Sequence, residues 1–133
     1  MAGKKILIIE DETLQLTITA KRLKAAGYEV AAARDGTSAI SEARKEQPDL
    51  ILLDLGLPAG DGFVVLQRLQ MILQTAMIPV IVLSARPPKG NQEAVLKGGA
   101  VAYLQKPVDT DVLLRAIADA LGTASPDPPP NQP

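Results

Sequence analysis

Short apolar runs alternate with segments of helical periodicity along most of the chain. Ile6-Leu7-Ile8-Ile9, Leu50-Ile51-Leu52-Leu53 and Pro79-Val80-Ile81-Val82-Leu83 are nearly continuous β-branched and leucine stretches, as expected of strands covered on both faces. Residues 29–33 form a less hydrophobic strand suited to a sheet edge, and 103–105 a short last one. Residues 13–26 carry two apolar rows at helical spacing, Leu14, Ile18 and Ala25 on one and Leu16, Ala20 and Leu23 on the other, and Gly27 stops the helix. Asp35-Gly36 turns into a helix over 38–46 with Ala39, Ile40 and Ala43 inward, and Pro48-Asp49 breaks it. A third helix over 63–73 offers Phe63, Leu66, Leu69 and Ile72 to the core. Arg86-Pro87-Pro88-Lys89-Gly90 is a loop before a short fourth helix over 92–97, ended by Gly98-Gly99. A fifth runs from Asp109 or Thr110 to Leu121, burying Leu113, Leu114, Ile117 and Leu121 behind acids that suit its amino-terminal dipole. Five strand–helix units with right-handed crossovers define the α/β class: a doubly wound, five-stranded parallel sheet inside a (βα)5 three-layer sandwich.

Four of the strands deliver a polar residue at the carboxyl end, the edge where open parallel sheets bind ligands. The first run ends in Glu10-Asp11-Glu12, the third strand in Asp54, the fourth in Ser84, and the fifth in Lys106-Pro107. Asp54 is followed by the turn-forming stretch Gly56-Leu57-Pro58-Ala59-Gly60-Asp61-Gly62. A single acid in such a place is more often a helix cap or turn residue, and Asp11 alone would serve as a cap for the helix near Thr13. Three acids, a hydroxyl and an ammonium on one edge are not explained that way. Gly60 and Gly62 read as turn residues, since no Walker-type or Gly-x-Gly-x-x-Gly loop follows a strand.

Composition narrows the chemistry. The 133 residues suffice for one domain, and the 47% hydrophobic content suits a doubly covered sheet. Fourteen basic residues against fifteen acidic ones give no general electrostatic reason for a nucleic-acid or anionic-membrane partner. No cysteine is present for a disulfide or thiolate metal site, and no histidine for general-base or phosphocarrier work. The start, Met1-Ala2-Gly3-Lys4-Lys5 and four apolar residues, is neither a secretion signal nor a membrane span, so a cytoplasmic protein is expected. Five of the eleven prolines fall within 126–133, so the domain is expected over 1–122 with a disordered proline-rich tail or linker over 123–133.

The ordered set Glu10-Asp11, Asp54 with Pro58 and Gly62 behind it, Ser84-Ala85 and Ala102-Tyr103-Leu104-Gln105-Lys106-Pro107 resembles the receiver domain of two-component response regulators over the whole ordered chain. The resemblance implies a flavodoxin-like (CheY-like) sheet of strand order 2-1-3-4-5 and a cis Lys106-Pro107 peptide. It further implies that Asp54 accepts a phosphoryl group from a sensor histidine kinase or phosphotransfer protein. Mg2+ would be bound by Asp11, Asp54 and the Gly56 carbonyl, and by Glu10 mostly through water, with Ser84, the Ala85 N–H and Lys106 holding phosphoryl oxygens. Ser84 and Tyr103 would form a switch that alters the face of the fourth helix, fifth strand and fifth helix. That face would serve a protein partner or a phosphorylation-linked homodimer, although the two prolines before the fourth helix argue against a standard form. Leu14, Gln15, Thr17 and Ile18 are candidates for kinase choice. Glu10 departs from a common aspartate and Ser84 from a common threonine. Met1 close to the first strand favours an amino-terminal or single-domain placement. Two other functions stay open: a phosphorylation-independent pseudo-receiver interaction module, and a Mg2+-dependent phosphohydrolase, for which Gly56 stands where a general acid is usual.

Overall fold

The computed structural model describes residues 3–57, 62–87 and 89–123. The strands are β1 (Lys5–Ile9), β2 (Glu29–Ala33), β3 (Leu50–Asp54), β4 (Val80–Ser84) and β5 (Ala102–Gln105). The helices are α1 (Thr13–Ala25), α2 (Gly36–Glu46), α3 (Gly62–Met71), α4 (Asn91–Lys97) and α5 (Thr110–Leu121), each following the strand of the same number. All neighbouring strands pair in parallel in the order β2-β1-β3-β4-β5. Pro58 to Asp61, Pro88 and the expected tail beyond Thr123 lie outside the described residues.

Strand alternation sorts the side chains into two cores, one on each sheet face. Leu7, Ile9, Ile51, Leu53, Val80 and Val82 pack with Ala39 and Ala43 of α2 and Val65, Leu66 and Leu69 of α3. Ile6, Ile8, Leu50, Leu52, Ile81 and Leu83 pack with Leu23 of α1 and Leu113 and Ile117 of α5. Every residue of β3 and β4 is buried, as their unbroken apolar sequence requires, whereas edge strand β2 buries only Ala33. Removing each large aliphatic side chain from water contributes about 1.5–3 kcal/mol, so these two layers dominate the stability of the fold.

Helix boundaries differ from the sequence reading in ways that have local causes. Asp35 is the N-cap of α2, its carboxylate accepting the Ser38 N–H at 2.8 Å, so the helix opens at Gly36 rather than at residue 38. α3 stops at Met71 because the buried Thr75 hydroxyl donates to the Leu69 carbonyl at 2.7 Å, tying down a free carbonyl and leaving Leu73 90% exposed. Val65 lies in that core while Phe63 and Ile72 are only half-buried. Of the two rows on α1, the Leu16–Ala20–Leu23 row faces the sheet and Leu14 and Ile18 face outward.

Candidate functional site

Register brings the polar residues to one edge. Ile9 pairs with Leu53, so Glu10 and Asp54 stand one residue further along adjacent strands. Ser84 pairs with Gln105, and the next amide, Lys106 N–H, donates to the Ser84 carbonyl at 2.7 Å. The Lys106-Pro107 peptide is cis. Gly62, the first residue of α3, lies against the residues that follow β3, its N–H on the Leu55 carbonyl at 3.1 Å. Only glycine fits there: a Cβ on Gly62 would stand 2.5 Å from Leu55 Cα and 3.0 Å from the Asp54 carbonyl oxygen.

One carboxylate oxygen from each of Glu10, Asp11 and Asp54 lies within 4.8 Å of the other two. Lys106 Nζ sits 3.0 Å from Glu10 Oε1 and 3.5 Å from Asp54 Oδ1. Asp54 Oδ1 also accepts the Gly56 N–H at 3.1 Å, and Glu10 Oε2 accepts the Glu12 N–H at 3.3 Å. Glu10 is 6% and Asp54 9% exposed, so the charges meet in a largely dehydrated place. Burial raises the Glu10 carboxyl above the ordinary glutamate value and the neighbouring Asp54 adds to this, while Lys106 only partly reverses it. For Lys106 burial works to lower the value, yet Glu10 and Asp54 outweigh it and hold the ammonium above the usual lysine range.

Three carboxylates against one ammonium leave two negative charges in a pocket of hard oxygen donors, the donor chemistry that suits Mg2+. The cluster is therefore one that fits a divalent metal. Ser84, 2% exposed, accepts the Arg86 N–H on its hydroxyl at 3.0 Å. Tyr103 is buried, with its hydroxyl donating to the Arg86 carbonyl at 2.8 Å. Ser84 and Tyr103 thus meet at opposite ends of Arg86, whose guanidinium rests 6.0 Å from the Phe63 ring centroid.

The residues singled out in the sequence are brought together as two linked groups: Glu10, Asp11, Asp54, Gly56 and Lys106 around the carboxylates, and Ser84 with Tyr103 through Arg86. Arg34 was missed. It follows β2 as Glu10 follows β1, and its Nη2 donates to the Asp11 main-chain carbonyl at 3.0 Å and to Thr13 Oγ1. Applying the strand-end rule to β2 as well as to the other four strands would have found it.

A doubly wound sheet of this order with acids, hydroxyl and lysine on its carboxyl edge defines a response-regulator receiver. The model of the response regulator receiver domain matches residues 6–118, and the chain belongs to that family. It is 36% identical over 121 residues to the polar-differentiation response regulator DivK of Brucella anthropi, covering 91% of this chain and 98% of that protein. Among solved structures it is similar to the receiver domain of a sensor histidine kinase from Pseudomonas aeruginosa, which has a magnesium ion coordinated in its active-site cleft (TM-score 0.84, 31% identity, 92% of this chain and 100% of that one). A putative response regulator from Chloroflexus aurantiacus superposes with a TM-score of 0.86 at 28% identity, covering 90% of this chain and 98% of its own. No helix among the described residues is long and apolar enough to cross a membrane.

Proposed function

We propose that this receiver accepts a phosphoryl group on Asp54 from a sensor histidine kinase or a histidine phosphotransfer protein, with Mg2+ as cofactor, and thereby switches a partner-binding surface. The observation that carries this reading is Lys106 Nζ at 3.5 Å from Asp54 Oδ1 inside the three-carboxylate cluster. In the transfer an Asp54 carboxylate oxygen attacks phosphorus, the P–N bond to the donor imidazole breaks as the new P–O bond forms, and the leaving imidazole takes up a proton from water. Asp11, Asp54 and the Gly56 carbonyl would hold Mg2+, with Glu10 acting through water; when bound, the ion supplies charge neutralisation between the two anionic reactants. Lys106 holds a phosphoryl oxygen as a point charge, and the Ser84 hydroxyl and Ala85 N–H donate to others.

The shared Arg86 supports a switch. Once Ser84 turns toward the phosphoryl group it releases the Arg86 N–H, and Tyr103, bonded to the carbonyl of the same residue, feels the change. Both conformers pre-exist and phosphorylation shifts the balance. The output face is α4–β5–α5, where Leu96, Val101 and Val112 are exposed and a shallow, open depression of about 540 Å³ is lined by Gln92, Glu93, Leu96 and Lys97 of α4. The same face would carry any phosphorylation-linked homodimer. The donor docks at a groove of about 420 Å³ lined by Gln15, Ile18, Thr19, Arg22, Pro107 and Val108, which opens beside Glu10 and Lys106. The protein acts in the cytoplasm as a signalling module and is not an enzyme in its own right; nucleic acid and membrane are not its partners.

Intact-mass spectrometry after incubation with acetyl phosphate and Mg2+ tests the reading. A hydroxylamine-labile gain of one phosphoryl group, absent without Mg2+ and absent in Asp54→Asn, is the expected result. Loss of any such adduct at short times in the wild type would leave the pseudo-receiver module as the better account.

A further inference from the structure

The β1–α1 connection carries two of the three clustered acids, yet α1 starts without a side-chain cap. Glu12, at the N-cap, makes no side-chain hydrogen bond to the helix, and no acid lies in its first turn. The connection is instead held from the end of β2. The Glu10 N–H donates to the Ala33 carbonyl at 3.0 Å. Arg34, the next residue, bridges Asp11 and Thr13 with a single nitrogen, donating to the main-chain carbonyl of the first and the hydroxyl of the second.

We infer that Arg34 is a positioning residue for divalent-cation binding: by fixing the main chain at Asp11 and Thr13 it holds the Asp11 carboxylate within ligand distance of Asp54 and Glu10. This rests on the Mg2+ site proposed above. The three carboxylates repel one another, and Asp11, on a connection between elements and only partly buried, is the member free to swing toward water. An aspartate has two side-chain torsions, so a clamped main chain restricts where its oxygens can go. The groups that Arg34 contacts decide between orienting and neutralising. Its hydrogen bonds end on a carbonyl and a hydroxyl, not on a carboxylate, so it orients Asp11 without competing for the oxygens that would ligate a metal.

The alternative role, a cation that merely shifts the local potential, predicts the opposite sign. Removing a nearby positive charge strengthens Mg2+ binding, whereas removing a clamp weakens it. Isothermal titration calorimetry with MgCl2 alone, without phosphodonor, reads this in the wild type, Arg34→Ala, Thr13→Ala, Thr13→Ser and the Arg34→Ala/Thr13→Ala double variant, with melting in EDTA as the folding control. The chain has no tryptophan, so heat is a better readout than intrinsic fluorescence. The expected result is an Mg2+ Kd raised about tenfold in Arg34→Ala. Thr13→Ala should lose less, Thr13→Ser should retain wild-type affinity, and the double variant should be no worse than Arg34→Ala, as two ends of one contact require. Equal or tighter binding in Arg34→Ala overturns the inference, as does strict additivity of the two alanine variants. A wild type that binds no Mg2+ overturns the proposed function itself and this inference with it; wild-type binding that Arg34→Ala leaves unchanged overturns the inference alone.

Discussion

Replacing Lys106 with methionine keeps an unbranched stem of similar length and removes the ammonium bonded to Glu10 and Asp54. At 3.0 and 3.5 Å, each contact is worth about 1 kcal/mol in a water-like medium and about 5 kcal/mol at the effective dielectric of a protein surface. The Lys106 side chain is 23% exposed, and methionine avoids the cost of dehydrating a charge, so much of that attraction cancels. What does not cancel is the repulsion left among carboxylates within 4.8 Å of one another. A net loss on the order of 2 kcal/mol follows, or a fall in Tm of roughly 6–10 °C for a domain of this size.

Thermal melts by far-UV circular dichroism, in EDTA and low salt, check the size and the pH dependence. The Lys106 pKa is raised in the folded state, so its contribution is fully present below the unfolded value and is lost only as pH climbs through the folded one; at pH 7.5 it is intact. Glu10 also has a raised folded pKa, so the native protein binds more protons than the unfolded chain between the two values. Its charge therefore costs stability at neutral pH, and the cost disappears as pH falls toward the unfolded value. Without Lys106 that cost grows, so the deficit of Lys106→Met should be largest near pH 7.5 and shrink as the solution is acidified. Equal Tm values for the two proteins at pH 7.5, or a deficit unchanged at the pH where glutamate protonates, would refute the electrostatic account.

Gly62→Ala forces a methyl group to within 2.5 Å of Leu55 Cα, so the main chain there must shift. A loss of about 1–3 kcal/mol is expected together with displaced amide signals for Leu55 and Gly56 in NMR spectra; wild-type stability would show that the connection tolerates a Cβ. Thr75→Val keeps the shape but strips the hydroxyl from the Leu69 carbonyl. Urea denaturation should report a loss of about 1–3 kcal/mol with an unchanged m-value, and a neutral result would remove Thr75 as the terminator of α3.

Much of the architecture could be read from hydrophobic runs because β1, β3 and β4 lie inside the sheet, where both faces demand apolar residues and the signal is unbroken. The strand order was not contained in those runs; it came from the family resemblance. Helix ends were harder to read because side-chain hydrogen bonds from Asp35 and Thr75 set two of them, and such bonds leave no periodic trace. Periodicity also assigned α1 two apolar rows without saying that Leu14 and Ile18 face away from the sheet. Strand ends showed that Glu10, Asp11, Asp54 and Lys106 could meet on one edge, and the resemblance supplied their arrangement around Asp54, whereas Arg34 was passed over because its strand is an edge with little apolar signal.

The charge balance of the site is a property of register and not of composition. The chain as a whole carries one net negative charge, yet one edge of its sheet gathers three carboxylates, two of them in contact with the Lys106 ammonium. That concentration arises because β1 and β3 end level with each other, Ile9 against Leu53, and because β5 ends beside β4. Shifting β1 by one residue against β3 would separate Glu10 from Asp54 and would also turn Ile6 and Ile8 to the wrong face, which two packed cores forbid. The apolar layers thus hold the acids together against their repulsion. Lys106 relieves only part of it, and the residual negative charge is the electrostatic basis for expecting a divalent cation at this edge.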